Sequence, residues 1–153
     1  MVQTIDTHSP FGYCPTEKRM FNDLLDAFYE ADRNIGNFVD YINVDKKEAL
    51  ILGIIGDHLF MGEPELFKGV LRRQRCLFLG DIPDGLHFNV DKFISAVDIA
   101  PTILDLAGAK WSTKQFGLGF SIFSDDISLV EKLTVDGYNK FVLYPSATYN
   151  KFY

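Results

Sequence analysis

Apolar positions change their spacing several times along the chain, and each change predicts an element. Beyond Thr16, the residues Met20, Phe21, Leu24, Leu25, Phe28, Ala31, Ile35, Phe38, Val39 and Ile42 recur with the 3.6-residue period of a long amphipathic helix. The intervening Asp23, Asp26, Glu30, Asp32, Arg33 and Asp40 predict a solvated opposite face. Ala49 to Gly56 is then an unbroken apolar run without alternation, the pattern of a strand covered on both faces in a parallel sheet. Arg75 to Gly80 predicts a second buried strand, and Met1 to Asp6 a short one at the start. Between the two buried strands, Glu63 to Leu71 reads as a short helix with Pro64 in its first turn.

Ser95 to Gly108 is a further helix, in which Asp98 can cap, Pro101 sits early and Gly108 can terminate. Phe116 to Ser124, Gly-rich and apolar, reads as a loop packed on the body. Leu133-Thr134-Val135 and Phe141-Val142-Leu143-Tyr144 flank Asp136-Gly137 and predict a loose hairpin or edge strands. Strand and helix alternate, so the expected class is α/β: a mixed, largely parallel sheet flanked by helices in one domain over residues 1–153.

Composition fits that picture. The chain has 153 residues, 47% of them hydrophobic and 24% charged, which is globular rather than disordered. No apolar run approaches the roughly 20 residues of a membrane-spanning helix. A net charge of −6 repels phosphate backbones, and Arg72-Arg73-Gln74-Arg75 is the one short basic run, so nucleic acid is not an expected partner. Cys14 and Cys76 lie far apart, outside any zinc-type spacing, and Cys76 opens an apolar run as a buried thiol would. The N-terminus lacks the basic and apolar regions of an export signal.

Candidate chemistry gathers where strands are expected to end, because ligands of open α/β sheets collect beyond the carboxyl ends of strands. Asp6-Thr7-His8 follows the first strand and Asp57-His58 the central one. A carboxylate with a neutral imidazole suits Mn²⁺ or Zn²⁺, and the carboxylate also suits Mg²⁺ or Ca²⁺. The ordinary alternative is that Asp57 caps the following turn and His58 is a half-buried ring. His87 lies in a turn and is assigned no role. Gly117-Leu118-Gly119 is too short for a nucleotide loop, and no GxSxG, GxxxxGK[ST] or HExxH motif occurs.

Three segments in combination resemble the C-terminal part of a sulfatase-like catalytic domain of the alkaline-phosphatase superfamily. They are Thr4-Ile5-Asp6-Thr7-His8-Ser9-Pro10, Ile54-Ile55-Gly56-Asp57-His58-Leu59-Phe60-Met61, and Val97 to Gly108. Within that superfamily the likeness is to phosphoglycerol transferases that act on membrane-derived oligosaccharides or build lipoteichoic acid, and Gly117 to Ser124 looks like the loop that follows in the oligosaccharide-type enzymes. The resemblance implies a partial sulfatase-like fold. It implies Asp57 and His58 as two ligands of the catalytic divalent cation, Mn²⁺ foremost, and His8 as a contact to the substrate phosphate. It also implies a phosphoglycerol-bearing lipid or glycan as substrate and work outside the cytoplasmic membrane. Asp98 and Pro101 match a helix start that is structural in the family.

In the family a threonine nucleophile and a further acidic metal ligand precede the segment matched by Thr4, where this sequence has Met1-Val2-Gln3. Thr7, Thr16 and Thr102 lie in no matching motif. The expectation is therefore a C-terminal portion that supplies metal and phosphate ligands, holds a cation weakly and turns over negligibly alone. Two alternatives stand beside it. One is a non-catalytic α/β module that associates with its own copies; the other is an arylsulfatase or phosphonate hydrolase relative, although neither cysteine lies in a sulfatase-type context.

Overall fold

The computed structural model describes residues 7–8, 21–44, 50–59, 65, 68–70 and 72–151. Among these residues it combines three α-helices with two small antiparallel sheets, and the chain divides into two compact units, Met1–Asp81 and Ile82–Tyr153. The strand expected over Met1–Asp6, Thr16 and Cys14 lie outside the described residues, as does most of the short helix expected over Glu63–Leu71.

In the first unit the amphipathic stripe forms helix α1, Asp23–Val44. Its start is built by side chains: Asn22 Oδ1 accepts the Leu25 N–H at 3.0 Å, and Asp26 Oδ1 accepts the Phe21 N–H at 3.1 Å. Asp23 and Asp26 also place negative charge in the first turn, where the helix dipole favours it. The rotation of this helix corrects the sequence expectation. Asp26, Ala27 and Glu30 are buried, whereas Phe28, Tyr29, Phe38 and Tyr41 are exposed. Asp26 turns inward because its carboxylate serves the helix start, and Glu30 is held by Arg33 at 2.6 Å.

Strands β1, Ile51–Ile55, and β2, Cys76–Gly80, pair antiparallel with Ile51 opposite Gly80 and Ile55 opposite Cys76. The largely parallel sheet is thus not formed among the described residues. Nor is either strand buried as expected, for their residues are half-buried or exposed; an apolar run does not encode strand direction, which hydrogen bonding to a neighbour decides. Asp81 closes one end of the ladder: its N–H donates to the Leu50 carbonyl at 3.0 Å, and its Oδ2 accepts the Leu50 N–H at 3.1 Å. Gly80 sits at φ +113°, and a Cβ there would strike the Leu50 carbonyl.

The second unit is organised around helix α2, Ile99–Leu106, entered through a 3-10 turn at Ala96–Asp98 and ended at Gly108, whose φ is +73°. Asp98 occupies the N-cap position, yet its carboxylate serves the chain beside the helix. Oδ2 accepts from the Ser95 N–H and hydroxyl at 2.8 and 3.0 Å, and Oδ1 accepts the Phe120 N–H at 2.8 Å. One turn on, the Thr102 hydroxyl donates to the Asp98 carbonyl at 2.6 Å and accepts the Ile122 N–H at 3.1 Å. The Gly-rich segment therefore docks as a two-residue-per-strand hairpin, β3 Gln115–Phe116 and β4 Gly119–Phe120, with Ser121 and Ile122 buried behind it. Gly119 is required because a Cβ would enter the Val97 carbonyl.

The expected hairpin or edge strands over 133–144 are instead helix α3, Leu129–Leu143. Ser128 caps it, its hydroxyl accepting the Glu131 N–H at 3.2 Å while Glu131 accepts the Ser128 N–H at 2.9 Å. Glu131 also accepts the Phe93 N–H at 3.0 Å, and Ser128 donates to the Phe93 carbonyl at 2.5 Å, which ties the helix start to the preceding loop. The helix is broken at Thr134, whose φ of 63° is foreign to a helix. No helix among the described residues is long and apolar enough to cross a membrane.

Candidate functional site

The carboxyl end of β1 carries the site. Beyond Ile55 the chain leaves the ladder at Gly56, whose N–H donates to the Arg75 carbonyl at 3.1 Å, and turns through Asp57-His58. The turn is local in origin: Asp57 Oδ1 accepts the His58 N–H at 2.9 Å, the short-range bond that lets aspartate shape such bends. So one carboxylate oxygen of Asp57 is engaged by the adjacent N–H, while Oδ2 is left outside that bond.

That oxygen faces His58. Nε2 of the ring lies 3.6 Å from Asp57 Oδ2, and Nδ1 lies 2.7 Å from the Leu59 carbonyl oxygen. A carbonyl can only accept, so Nδ1 carries the hydrogen and the neutral ring presents a bare Nε2 to the carboxylate. In the neutral ring two lone-pair atoms thus face each other across 3.6 Å, a repulsion that either a proton on Nε2 or a cation between them relieves. Two donors each about 2.2 Å from one divalent cation stand about 3–3.6 Å apart, so the pair fits such an ion. The His58 side chain is 47% and Asp57 71% exposed, so the site is open to water. Among the described residues no group of three or more His, Cys, Asp or Glu is gathered closely enough to hold a metal unaided.

His8, distant in sequence, is brought to the same place. Its ring centroid lies 6.3 Å from that of His58 with the planes at 88°, an edge-to-face contact. All three residues singled out in the sequence thus stand together at one end of β1. Sequence reasoning missed the Leu59 carbonyl, for backbone acceptors leave no mark in composition. Thr102 is fully buried and spends its hydroxyl on Asp98 and Ile122, which leaves it no access to a substrate. Cys76, on β2, is a half-buried free thiol whose pKa burial pushes up, the reverse of what a reactive cysteine needs.

A second polar cluster lies in the other unit. Asp105, on α2, is buried; its Oδ1 accepts from Trp111 Nε1 at 2.7 Å and from Lys114, whose ammonium also lies 5.9 Å over the Trp111 ring. Burial opposes the charge of Asp105, but the bonds from Lys114, Ser121 and Trp111 and the Lys114 charge outweigh it and hold the carboxyl below its usual range. Every one of these contacts ties α2 to the 111–121 segment, and the cluster is structural.

No protein-family model matches the sequence, and comparison with curated proteins and with solved structures likewise finds no match.

Proposed function

We propose that this chain supplies the divalent-cation and phosphate ligands of a metal-dependent phosphoglycerol transferase of the sulfatase-like type. The supporting observation is the meeting of His8 with the Asp57–His58 pair, three residues from two separate motifs at one strand end. In this reading Asp57 Oδ2 and His58 Nε2 hold the cation, Mn²⁺ foremost because a carboxylate and an imidazole together suit it. When bound, the cation supplies a Lewis acid to the phosphoryl oxygens. His8 donates a ring N–H to a non-bridging oxygen or to the departing alkoxide, stabilising charge as it shifts. The substrate class is a phosphoglycerol-bearing lipid or glycan, and the threonine nucleophile is proposed to come from sequence not contained in these 153 residues. The larger, largely parallel sheet of the family likewise belongs to this proposal.

Two exposed protein ligands give a weak site, because water must supply the rest of the ion's shell. Mn²⁺ titration followed by electron paramagnetic resonance tests it directly: the chain is expected to bind one Mn²⁺ weakly, and Asp57→Ala and His58→Ala to abolish binding. Equal Mn²⁺ binding by the wild type and both variants would exclude the reading. A phosphodiester assay with added Mn²⁺ is expected to show negligible turnover by the chain alone; turnover lost in Asp57→Ala would show that no outside nucleophile is needed.

A second reading, a module that associates with its own copies, draws on the exposure of Phe141, Val142, Leu143 and Tyr144 at the end of α3.

A further inference from the structure

We infer that the Leu59 carbonyl is a positioning group that locks His58 in the Nδ1–H form and thereby makes Nε2 the atom that takes a cation, an inference that rests on the metal reading for its purpose but not for its test. Three observations combine. The 2.7 Å contact joins Nδ1 to an oxygen that can only accept, so in the neutral ring the hydrogen is fixed on Nδ1. The acceptor belongs to the next residue along the chain, so the lock is formed by the turn itself and needs no other element. That turn is held in place by the bond from the His58 N–H to Asp57 Oδ1 at 2.9 Å, which also aims Oδ2 at the ring. A single three-residue bend therefore sets both donors: it leaves Nε2 bare and turns Oδ2 to within 3.6 Å of it.

The physical consequence is selective. A free neutral imidazole in water exchanges between its two tautomers and favours Nε2–H, the form in which Nε2 cannot ligate. Binding would then require the hydrogen to move first. Holding the other tautomer in advance removes that step, in the way that metal-ligating histidines are commonly oriented by an acceptor on their second nitrogen. Because the acceptor is main chain, no side-chain substitution at residue 59 removes it, and Leu59→Ala should leave the tautomer unchanged.

The test is the metal-free protein. With the full chain labelled with ¹⁵N at a pH where the rings are neutral, long-range proton–nitrogen correlations report which nitrogen of each ring carries hydrogen. His58→Gln and His87→Gln assign the signals, and the exposed His87 serves as an internal reference. The expected result is His58 in the Nδ1–H form and His87 predominantly in the Nε2–H form. If His58 shows the same tautomer as His87, the lock is overturned. Adding Zn²⁺, which is diamagnetic, should then shift His58 Nε2 and leave Nδ1 protonated; a shift at Nδ1 instead would overturn the assignment of the ligating atom. An Nδ1–H form that shows no response to Zn²⁺ would establish the lock and remove the metal reading, so the two failures are distinguishable.

Discussion

Asp98 and Phe120 are joined across 22 residues of chain by a 2.8 Å bond from the Phe120 N–H to Asp98 Oδ1. Asp98 is fully buried, and the same carboxylate also satisfies the Ser95 N–H and hydroxyl. Removing it leaves three part-buried donors without their acceptor. Asp98→Ala is expected to destabilise the chain by about 2–5 kcal/mol in chemical denaturation, since each buried unsatisfied group costs about 1–3 kcal/mol. Asp98→Asn, which keeps one acceptor oxygen, should lose less. Equal stability of Asp98→Ala and wild type would show that the hairpin is held by something else.

Acid should weaken the same unit. The carboxyl of Asp105 lies below its usual range despite burial, through Lys114, Ser121 and Trp111. That of Glu131 does so despite burial through the Ser128 and Phe93 N–H groups, the Ser128 hydroxyl and the Lys92 charge. A depressed folded-state pKa contributes stability that is complete above the unfolded value and is lost as pH falls through the folded one. Stability measured by urea unfolding should therefore be flat near neutrality and decline below about pH 4. Asp105→Asn should flatten part of that decline, and an unchanged slope would remove Asp105 as its source.

Lys114 compensates a buried charge, so its loss should be felt at Asp105. Lys114 is partly exposed, which screens the pair, and Lys114→Ala is expected to cost about 1–3 kcal/mol rather than the larger figure for a wholly buried pair. The Asp105 carboxyl resonance should titrate at higher pH in that variant. A titration unchanged from wild type would show that Trp111 and Ser121 suffice.

Two glycines of the second unit should respond differently to alanine. At Gly119 a Cβ would enter the backbone of Val97, and the cost should be about 3 kcal/mol, the upper end for overpacking. Gly108 has open space but a φ of +73°, so Gly108→Ala should cost about 1 kcal/mol through strain alone. Thermal unfolding of the two variants gives the ordering, and a reversed order would contradict the docking of β4 on the 3-10 turn.

Self-association can be read from sedimentation at several concentrations. If the end of α3 mediates it, Leu143→Asp should abolish any concentration dependence without lowering thermal stability, because Leu143 is 81% exposed and holds nothing in the monomer. Concentration dependence that persists in Leu143→Asp would place the contact elsewhere.

Periodicity and local end signals determined where the helices α1 and α2 lie, though not which side chains of α1 are buried. The stripe from Met20 to Ile42 predicts α1, and the Pro101 and Gly108 signals bracket α2, because local backbone preference and capping act within a few residues. The helix over 129–143 was written in Ser128-Leu129-Val130-Glu131, a capping box, but Asp136-Gly137 mimics a hairpin turn at the same place. The three candidate site residues were legible as chemical types at the ends of apolar runs. Their convergence was not: His8 meets His58 only because the fold returns residue 8 to the end of β1. Strand direction, the inward turn of Asp26 and Glu30, and the carbonyl that fixes the His58 ring were likewise decided by the tertiary structure. Each depends on hydrogen bonds whose partners the one-dimensional pattern of polar and apolar side chains does not encode.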